Sequence, residues 1–285
     1  EDGNKFFINN KDLSFTENAD NIGISFNGQA WGAQFEDFDL DGFEDLYVSG
    51  ALVGSEVPSS AYYSNIFGKY FEENNSIGLN SDTVASYGNA IGDIDNNGIP
   101  DIAVLNMYPH KSFIFKNTYS GNNNWLNVKL IGHNSNRDAY GTRLVLHSGD
   151  LILSRAKFSS EGYLSQNSDN IFFGLGENNQ VDSVYVYWSS GLIDKLYNLE
   201  VNRTYKINEA STSNTPQIFS DNLSLCQGSS ITLETGFYDR YLWSNGDTTQ
   251  QIEVYDEGSY FVRVYDESDN EFLSDTIAIN EIKPS

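Results

Sequence analysis

The sequence predicts an all-β protein, with partial β-propeller blades followed by two strand-rich sandwiches. Three observations predict it. Tyr and Phe supply 18 residues each and Gly 24, against a single Met, a composition suited to pleated strands and tight turns. An acidic stretch, DFDLDGFED at 37–45, returns with nearly the same spacing as DIDNNGIPD at 93–101. Downstream, WLNVKLIG, TRLVLHS and QQIEVY alternate apolar and polar residues with the period of two that a half-buried strand requires.

At 285 residues the chain accommodates two or three domains, each of roughly 100 residues and able to bury its own core. Its formal charge of -24, from 40 acidic and 16 basic residues, argues against a nucleic-acid partner, because binding a phosphate backbone rests on Lys and Arg releasing counterions. The same imbalance makes the chain self-repelling, a cost that bound divalent cations would partly remove. No apolar run approaches the roughly 18 residues of a membrane helix, so no transmembrane segment is expected. The chain opens EDGNKFFINN, without an initiator Met or a charged-then-apolar leader, and reads as mature or truncated. Its one cysteine, Cys226, precludes an internal disulfide.

The acidic stretches belong to a repeat. Placing residue 37 over residue 93, an offset of 56, also aligns WGAQFEDFDLDGFEDLYVSG (31–50) with YGNAIGDIDNNGIPDIAVLN (87–106), and Phe15 with Phe71. Short strands recurring at such a period, joined by polar turns, indicate a propeller or related array whose units cannot bury their faces alone. Two units cannot close a ring of four to eight blades; further blades or another chain are expected to complete it.

Within each unit, D-x-D-x-D/N-G-x-x-D is explained by calcium chemistry. Calcium takes six to eight oxygens, which a short loop delivers from alternate side chains and a carbonyl, while Gly permits the sharp turn. In the first loop Asp37, Asp39, Asp41 and Asp45 are the carboxylate candidates and Phe43 the carbonyl. In the second, Asp93, Asp95, Asn97 and Asp101 are the side-chain candidates and Ile99 the carbonyl; Asn97 brings oxygen without charge. The last acid falls at loop position 9 and a strand follows directly, whereas an EF-hand needs its acid at position 12 and flanking helices. Asp, Asn and Gly also make ordinary turns; the fixed register repeated at one period favours metal. Extracellular calcium modules bind at about 10⁻⁴ to 10⁻³ M, and at ten to a hundred times that concentration each site adds roughly 1.4 to 2.7 kcal/mol.

With their flanks, these loops resemble FG-GAP or VCBS repeats, the calcium-loop propeller blades of integrin-type and many secreted proteins. The resemblance covers roughly residues 1–117.

From Asn124 the period stops and amphipathic strands follow, with SGD and GENNQ as turns. Residues 118–209 resemble the ASPIC/UnbV domain through W-L-x-V-x-L-x-G at 125–132, S-N-R-D-A-x-G at 135–141, G-Y-L-S-Q at 162–166, F-G-L-G at 173–176 and V-x-W-x-S-G at 186–191. Ser189 stands where that family usually has Pro. The resemblance implies a secreted, calcium-associated, adhesion-like setting and no established reaction. Asp138, with Arg137 or Arg143, reads as an ion pair fixing a Gly-containing turn. His110, His133 and His147 lie in no metalloprotease-like spacing, there is no G-x-S-x-G, and Cys226 has no histidine nearby in sequence. No catalytic residues are therefore assigned.

Residues 210–220 are small and polar, a linker composition. Residues 221–285 then alternate in short strands and suggest an immunoglobulin-like sandwich with Trp243 in its core. They resemble the immunoglobulin-like modules of bacterial cell-surface and type IX-secreted proteins. Those modules commonly carry a second cysteine where Glu271 stands, so the disulfide implied by the family is absent. D-T/S-aliphatic triplets at Thr83, Ser183 and Thr276 match a bacterial O-glycosylation pattern.

The functional expectation is a non-enzymatic, secreted or cell-surface bacterial protein with about two structural Ca²⁺ sites. It would work in adhesion or in binding a protein or carbohydrate ligand, with secretion-system components among its partners. Tyr62, Tyr63 and Tyr108 are aromatics able to stack on sugars, although strand packing explains any one of them equally. The alternative is a non-catalytic accessory region of a larger secreted enzyme, such as one degrading polysaccharide; a third reading is a structural spacer or filament component.

Overall fold

The computed structural model describes residues 4–26, 28–51, 60–79, 84–211, 216–226, 228–265 and 270–282. It is all-β apart from one short helix among the described residues, α1 (Ala19–Ile22). Thr83 of the first glycosylation triplet and 212–215 of the expected linker lie outside the described residues.

The first acidic loop sits in an antiparallel sheet of β3 (Gln29–Glu36), β4 (Asp45–Ala51), β5 (Ser60–Ile66) and β6 (Tyr70–Glu73), preceded by the hairpin β1 (Phe7–Asn9) and β2 (Phe15–Glu17). The second sits in the sheet β7 (Ser86–Gly92), β8 (Asp101–Asn106) and β9 (Phe113–Phe115). The repeat survives in the register. Pairing shifts between Ala30 and Gly32 and again between Ser86 and Gly88, leaving Trp31 and Tyr87 unmatched at equivalent positions.

Alternation explains the packing. On β4, Leu46 and Val48 join a core with Ala61, Tyr63, Ile24 and Phe26, while Tyr47 points oppositely into a second core with Tyr62, Ile91, Ile102 and Val104. Both faces of β4 are therefore covered, as its continuous apolar run requires. Each large side chain so buried contributes roughly 1.5–3 kcal/mol relative to exposure. Asn89 Nδ2 donates to Ser49 Oγ at 2.8 Å, tying the sheets together.

The middle segment builds two sheets around one core. One is β13 (Asn170–Gly176), β10 (Asn124–Ile131) and β16 (Arg203–Asn208); the other is β12 (Leu151–Ala156), β11 (Arg143–Ser148), β14 (Gln180–Tyr187) and β15 (Ile193–Glu200). Leu126, Val128, Phe173 and Ile207 from the first meet Leu144, Leu146, Val184 and Leu196 from the second. β10 and β16 pair in parallel, from Leu126↔Arg203 to Ile131↔Asn208.

The last segment forms three small sheets. β17 (Ile218–Phe219), β19 (Ile231–Thr235) and β21 (Gln251–Val254) form one; β18 (Ser224–Cys226), β25 (Ile277–Ile282) and β22 (Gly258–Tyr260) the next; and β20 (Arg240–Trp243), β23 (Val262–Tyr265) and β24 (Glu271–Leu273) the third. Trp243 is buried in their shared core with Leu233, Val262 and Val264. The expected linker is partly structural: Ile218 and Phe219 pair with Thr235 and Glu234, because their apolar side chains find cover against the last segment. Cys226 is exposed and free.

Candidate metal centres

Each acidic loop joins the end of one strand to the start of the next, and each is wound around its first aspartate. Asp37 Oδ1 accepts from Asp41 N at 3.0 Å and Oδ2 from Gly42 N at 2.8 Å. Asp93 does the same with Asn97 N at 3.0 Å and Gly98 N at 2.7 Å. Closing the turn takes two left-handed residues, Leu40 and Gly42 (φ 61° and 97°) in one loop and Asn96 and Gly98 (φ 56° and 89°) in the other, a conformation that glycine adopts without penalty. Asp41 Oδ1 then accepts from Phe43 N, and Asn97 Oδ1 from Ile99 N, both at 2.8 Å.

The ninth-position aspartates are fixed from behind. Asp45 Oδ2 accepts from Phe38 N (3.2 Å) and the Tyr62 hydroxyl (2.6 Å), and its Oδ1 from Asn65 N (2.8 Å). Asp101 accepts from Ile94 N (2.9 Å) and Asn117 N (2.7 Å). The loops thereby bring Asp37, Asp39 and Asp45 together, and likewise Asp93, Asp95 and Asp101, each trio presenting carboxylate oxygens within 4.8 Å of one another. Asp41 is outside the first trio and instead braces the backbone at Phe43. Phe43 and Ile99 lie in the closing turn.

Electrostatics separate the loops. Asp37 and Asp45 are almost completely buried. Burial pushes the Asp37 carboxyl well above the usual carboxylate range, against the opposing hydrogen bond from Gly42, and Asp41, Asp39 and Asp45 add to the rise. Burial likewise raises Asp39, takes Asp41 to about 6 and takes Asp45 to about 7. Among the described residues no Lys or Arg forms an ion pair with these four. In the second loop Lys116 pairs with Asp95, and that contact lowers the Asp95 carboxyl. The first loop is therefore a crowded, desolvated, all-oxygen set without a resident cation, which fits a hard divalent ion.

The middle segment covers both loops. A Cβ at Gly174 would lie 1.9 Å from Asp37 Oδ2 and 2.6 Å from the Leu40 backbone, so only glycine lets β13 approach this closely. Gly176 N donates to Leu40 O at 2.8 Å, and Asn123 Nδ2 to Asp39 O at 2.9 Å. On the second loop, the Trp125 indole lies against Gly98 and Asn127 Nδ2 donates to Gly98 O at 3.0 Å. Asn117 bridges the pair, donating to Phe38 O and Pro100 O. None of these covering residues was singled out from the sequence as part of a site; the asparagine run at 122–124 was the available signal.

Other candidates resolve structurally. Tyr62 and Tyr63 are buried, whereas Tyr108 is exposed, so only Tyr108 of the three offers an accessible ring. The expected Asp138 ion pair is not formed among the described residues; Arg143 instead lies 4.1 Å from the Tyr187 ring centroid, where the aromatic face replaces a carboxylate. His147 meets Tyr185 edge-on and His133 stacks on Phe219 at 4.5 Å; His110 N donates to Met107 O in a turn. The S-N-R-D loop is anchored by buried Glu209, which accepts from the backbone N–H groups of His133, Asn134 and Ser135 and from the Ser135 and Ser190 hydroxyls. Burial opposes its ionisation, but these hydrogen bonds outweigh it and hold the carboxyl below its usual range. Ser183 is buried within β14, out of reach of glycosylation, while Thr276 is exposed.

Comparison with known proteins locates one family. The model described as "ASPIC and UnbV" matches residues 132–214. That span holds four of the five motif pieces read from the sequence and the Glu209 anchor; the W-L-x-V-x-L-x-G piece precedes it except for its final glycine. No curated protein matches the chain. Among solved structures, the fibronectin(III)-like modules of Clostridium thermocellum CbhA match with 11% identity and TM-score 0.17, covering 55% of this chain and 93% of that one. A fungal alcohol oxidase in complex with copper matches with 8% identity and TM-score 0.18, covering 98% of this chain and 70% of that one. Likeness at this level carries no argument about fold or function.

Proposed function

We propose that this chain, which carries an ASPIC/UnbV match at 132–214, is a calcium-stabilised binding region of a secreted or cell-surface protein. Its first 117 residues are read as FG-GAP/VCBS-like blades and its last 65 or so as an immunoglobulin-like module. One observation carries the reading: two loops 56 residues apart fold congruently and each gathers three carboxylates. Asp37, Asp39 and Asp45 would hold the first ion and Asp93, Asp95 and Asp101 the second, with Asp41, Asn97 and the Phe43 and Ile99 carbonyls as further oxygens. Bound calcium would neutralise the desolvated carboxylates and stiffen the turns beneath β10 and β13, leaving the outer surfaces to meet a protein or carbohydrate partner.

Thermal unfolding of the chain in millimolar calcium, in chelator and in magnesium tests this. A calcium-specific rise in the midpoint is expected, and midpoints that coincide in calcium and chelator refute it. The second reading, an accessory region of a larger secreted enzyme, shares the calcium sites; a catalytic domain in the full reading frame would favour it.

A further inference from the structure

We infer that the edge of the β1–β2 hairpin, with the adjoining face of β3, is a docking seat for a pair of antiparallel strands joined by a further D-x-D-x-D-G-x-x-D loop. The inference rests on the repeat reading above and adds to it the chemistry and register of the partner. It does not depend on either metal loop being loaded.

The hairpin repeats the outer half of the first sheet. β1 and β2 pair through Phe7↔Glu17, Ile8↔Thr16 and Asn9↔Phe15, and β5 and β6 through Tyr63↔Glu73, Ser64↔Glu72 and Asn65↔Phe71, every residue displaced by 56. Asn18 N donates to Phe6 O at 2.8 Å, as Asn74 N donates to Tyr62 O at 2.9 Å. Packing follows the same step: Phe6 lies against the core of Leu46 and Val48, and Tyr62 lies in that of Ile102 and Val104. The difference is at the edge. β5 pairs onward with β4 of the loop-bearing pair, whereas among the described residues β1 pairs with β2 alone.

Exposure shows what fits beside it. Phe35 and Ile91 are equivalent positions, yet Ile91 is 3% exposed and Phe35 41%. Ile91 shares a core with Phe38 and Tyr47, which the loop and β4 of the first sheet supply. Phe35 and Ala33 instead open onto a hollow of about 320 Å³ that Phe6 and Ile24 also line. An apolar hollow beside an unpaired strand edge suits strand addition, in which ladder hydrogen bonds hold the backbone and the hollow takes alternate side chains. An aromatic in the place of Tyr47 would fill it.

An amide specifies the loop. Asn65 N donates to the ninth-position Asp45 at 2.8 Å, and Asn9 holds the matching place on β1, 56 residues earlier. The partner's ninth-position carboxylate would accept from Asn9 N. A second copy of this chain does not supply the strand pair, because β5 already occupies the outer edge of β4 and β9 that of β8.

The test titrates the full chain, in calcium, into a labelled synthetic peptide of residues 29–51, which spans β3, the first loop and β4, and into a scrambled peptide of the same composition. Fluorescence anisotropy is expected to show saturable one-to-one binding of the first peptide only. Phe35→Asp in the chain should weaken that binding about tenfold, the effect of losing one buried ring. Ala33→Lys, at an exposed position lining the hollow, should weaken it likewise. Tyr108→Asp, an exposed ring elsewhere, should leave it unchanged. Absence of saturable binding, equal binding of both peptides, or binding indifferent to Phe35→Asp and Ala33→Lys overturns the proposal. So does self-association of the chain that the same two substitutions abolish, because a second copy then takes the seat. A calcium-dependent rise in unfolding midpoint without peptide binding removes this proposal alone; peptide binding without that rise removes the metal reading and leaves the seat standing.

Discussion

Calcium affinity at the first loop should rise steeply with pH, and the structure sets the size of the effect. Asp45 is pushed to about 7, by burial above all. Ionisation of this buried group is unfavourable in the metal-free fold, so a metal that requires the carboxylate must displace a proton. Going from about pH 6 to about pH 8, the ionised fraction of a group titrating near 7 grows from about one tenth to about nine tenths, a nearly tenfold gain in affinity. Asp41, at about 6, adds roughly a factor of two over the same interval. Stability without metal moves oppositely. A carboxyl raised from 3.8 to about 7 contributes stability below its unfolded pKa and loses it as pH rises to the folded value, by at most about 4 kcal/mol. Calorimetric calcium titrations at the two pH values, with the second loop disabled by Asp93→Asn and Asp101→Asn, measure the affinity change. An affinity unchanged across the interval would refute the assignment of buried, proton-holding ligands.

Lys116→Met should strengthen metal binding at the second loop severalfold, since it removes the ammonium paired with Asp95; the Trp125 indole packed on Gly98 provides the fluorescence signal for that titration. Gly174→Ala should destabilise the chain by about 1–3 kcal/mol and weaken calcium at the first loop, both readable in melts with and without the ion. Glu209→Ala should cost about 3 kcal/mol, because several donors lose a charged acceptor. With Glu209 intact, its contribution is present above the unfolded value near 4.5 and is lost as pH falls through the lowered folded value, so chemical denaturation should separate wild type from variant by a constant margin above that value and by less and less as the pH is taken below it.

How much of this was legible in the sequence varies with the range of the interaction. The acidic loops were, because side-chain and backbone groups within nine residues determine their geometry: Asp37 turning onto Gly42 is a local event written in the D-x-D-x-D-G order. What the spacing did not reveal is that Asp41 Oδ1 also accepts from Phe43 N, since carboxylate order alone does not show which oxygens a turn engages. Asn65 and Asn117 perform the same service for Asp45 and Asp101, yet they lie 52 residues apart, and that slip hid them from a search at 56. Gly174 and Trp125 were invisible as site residues because each acts across the boundary between the first sheets and the middle segment, where no periodicity points.

The parallel pairing of β10 with β16 gives the middle segment a mechanical character. These strands begin and end that segment, and six successive residue pairs join them side by side. The next segment repeats the device, pairing β18 with β25 in parallel. Tension drawn along the chain therefore loads each ladder in shear, so its hydrogen bonds must yield together rather than unzip singly. A protein strung between a surface and its partner would extend at its connecting stretches well before these segments gave way.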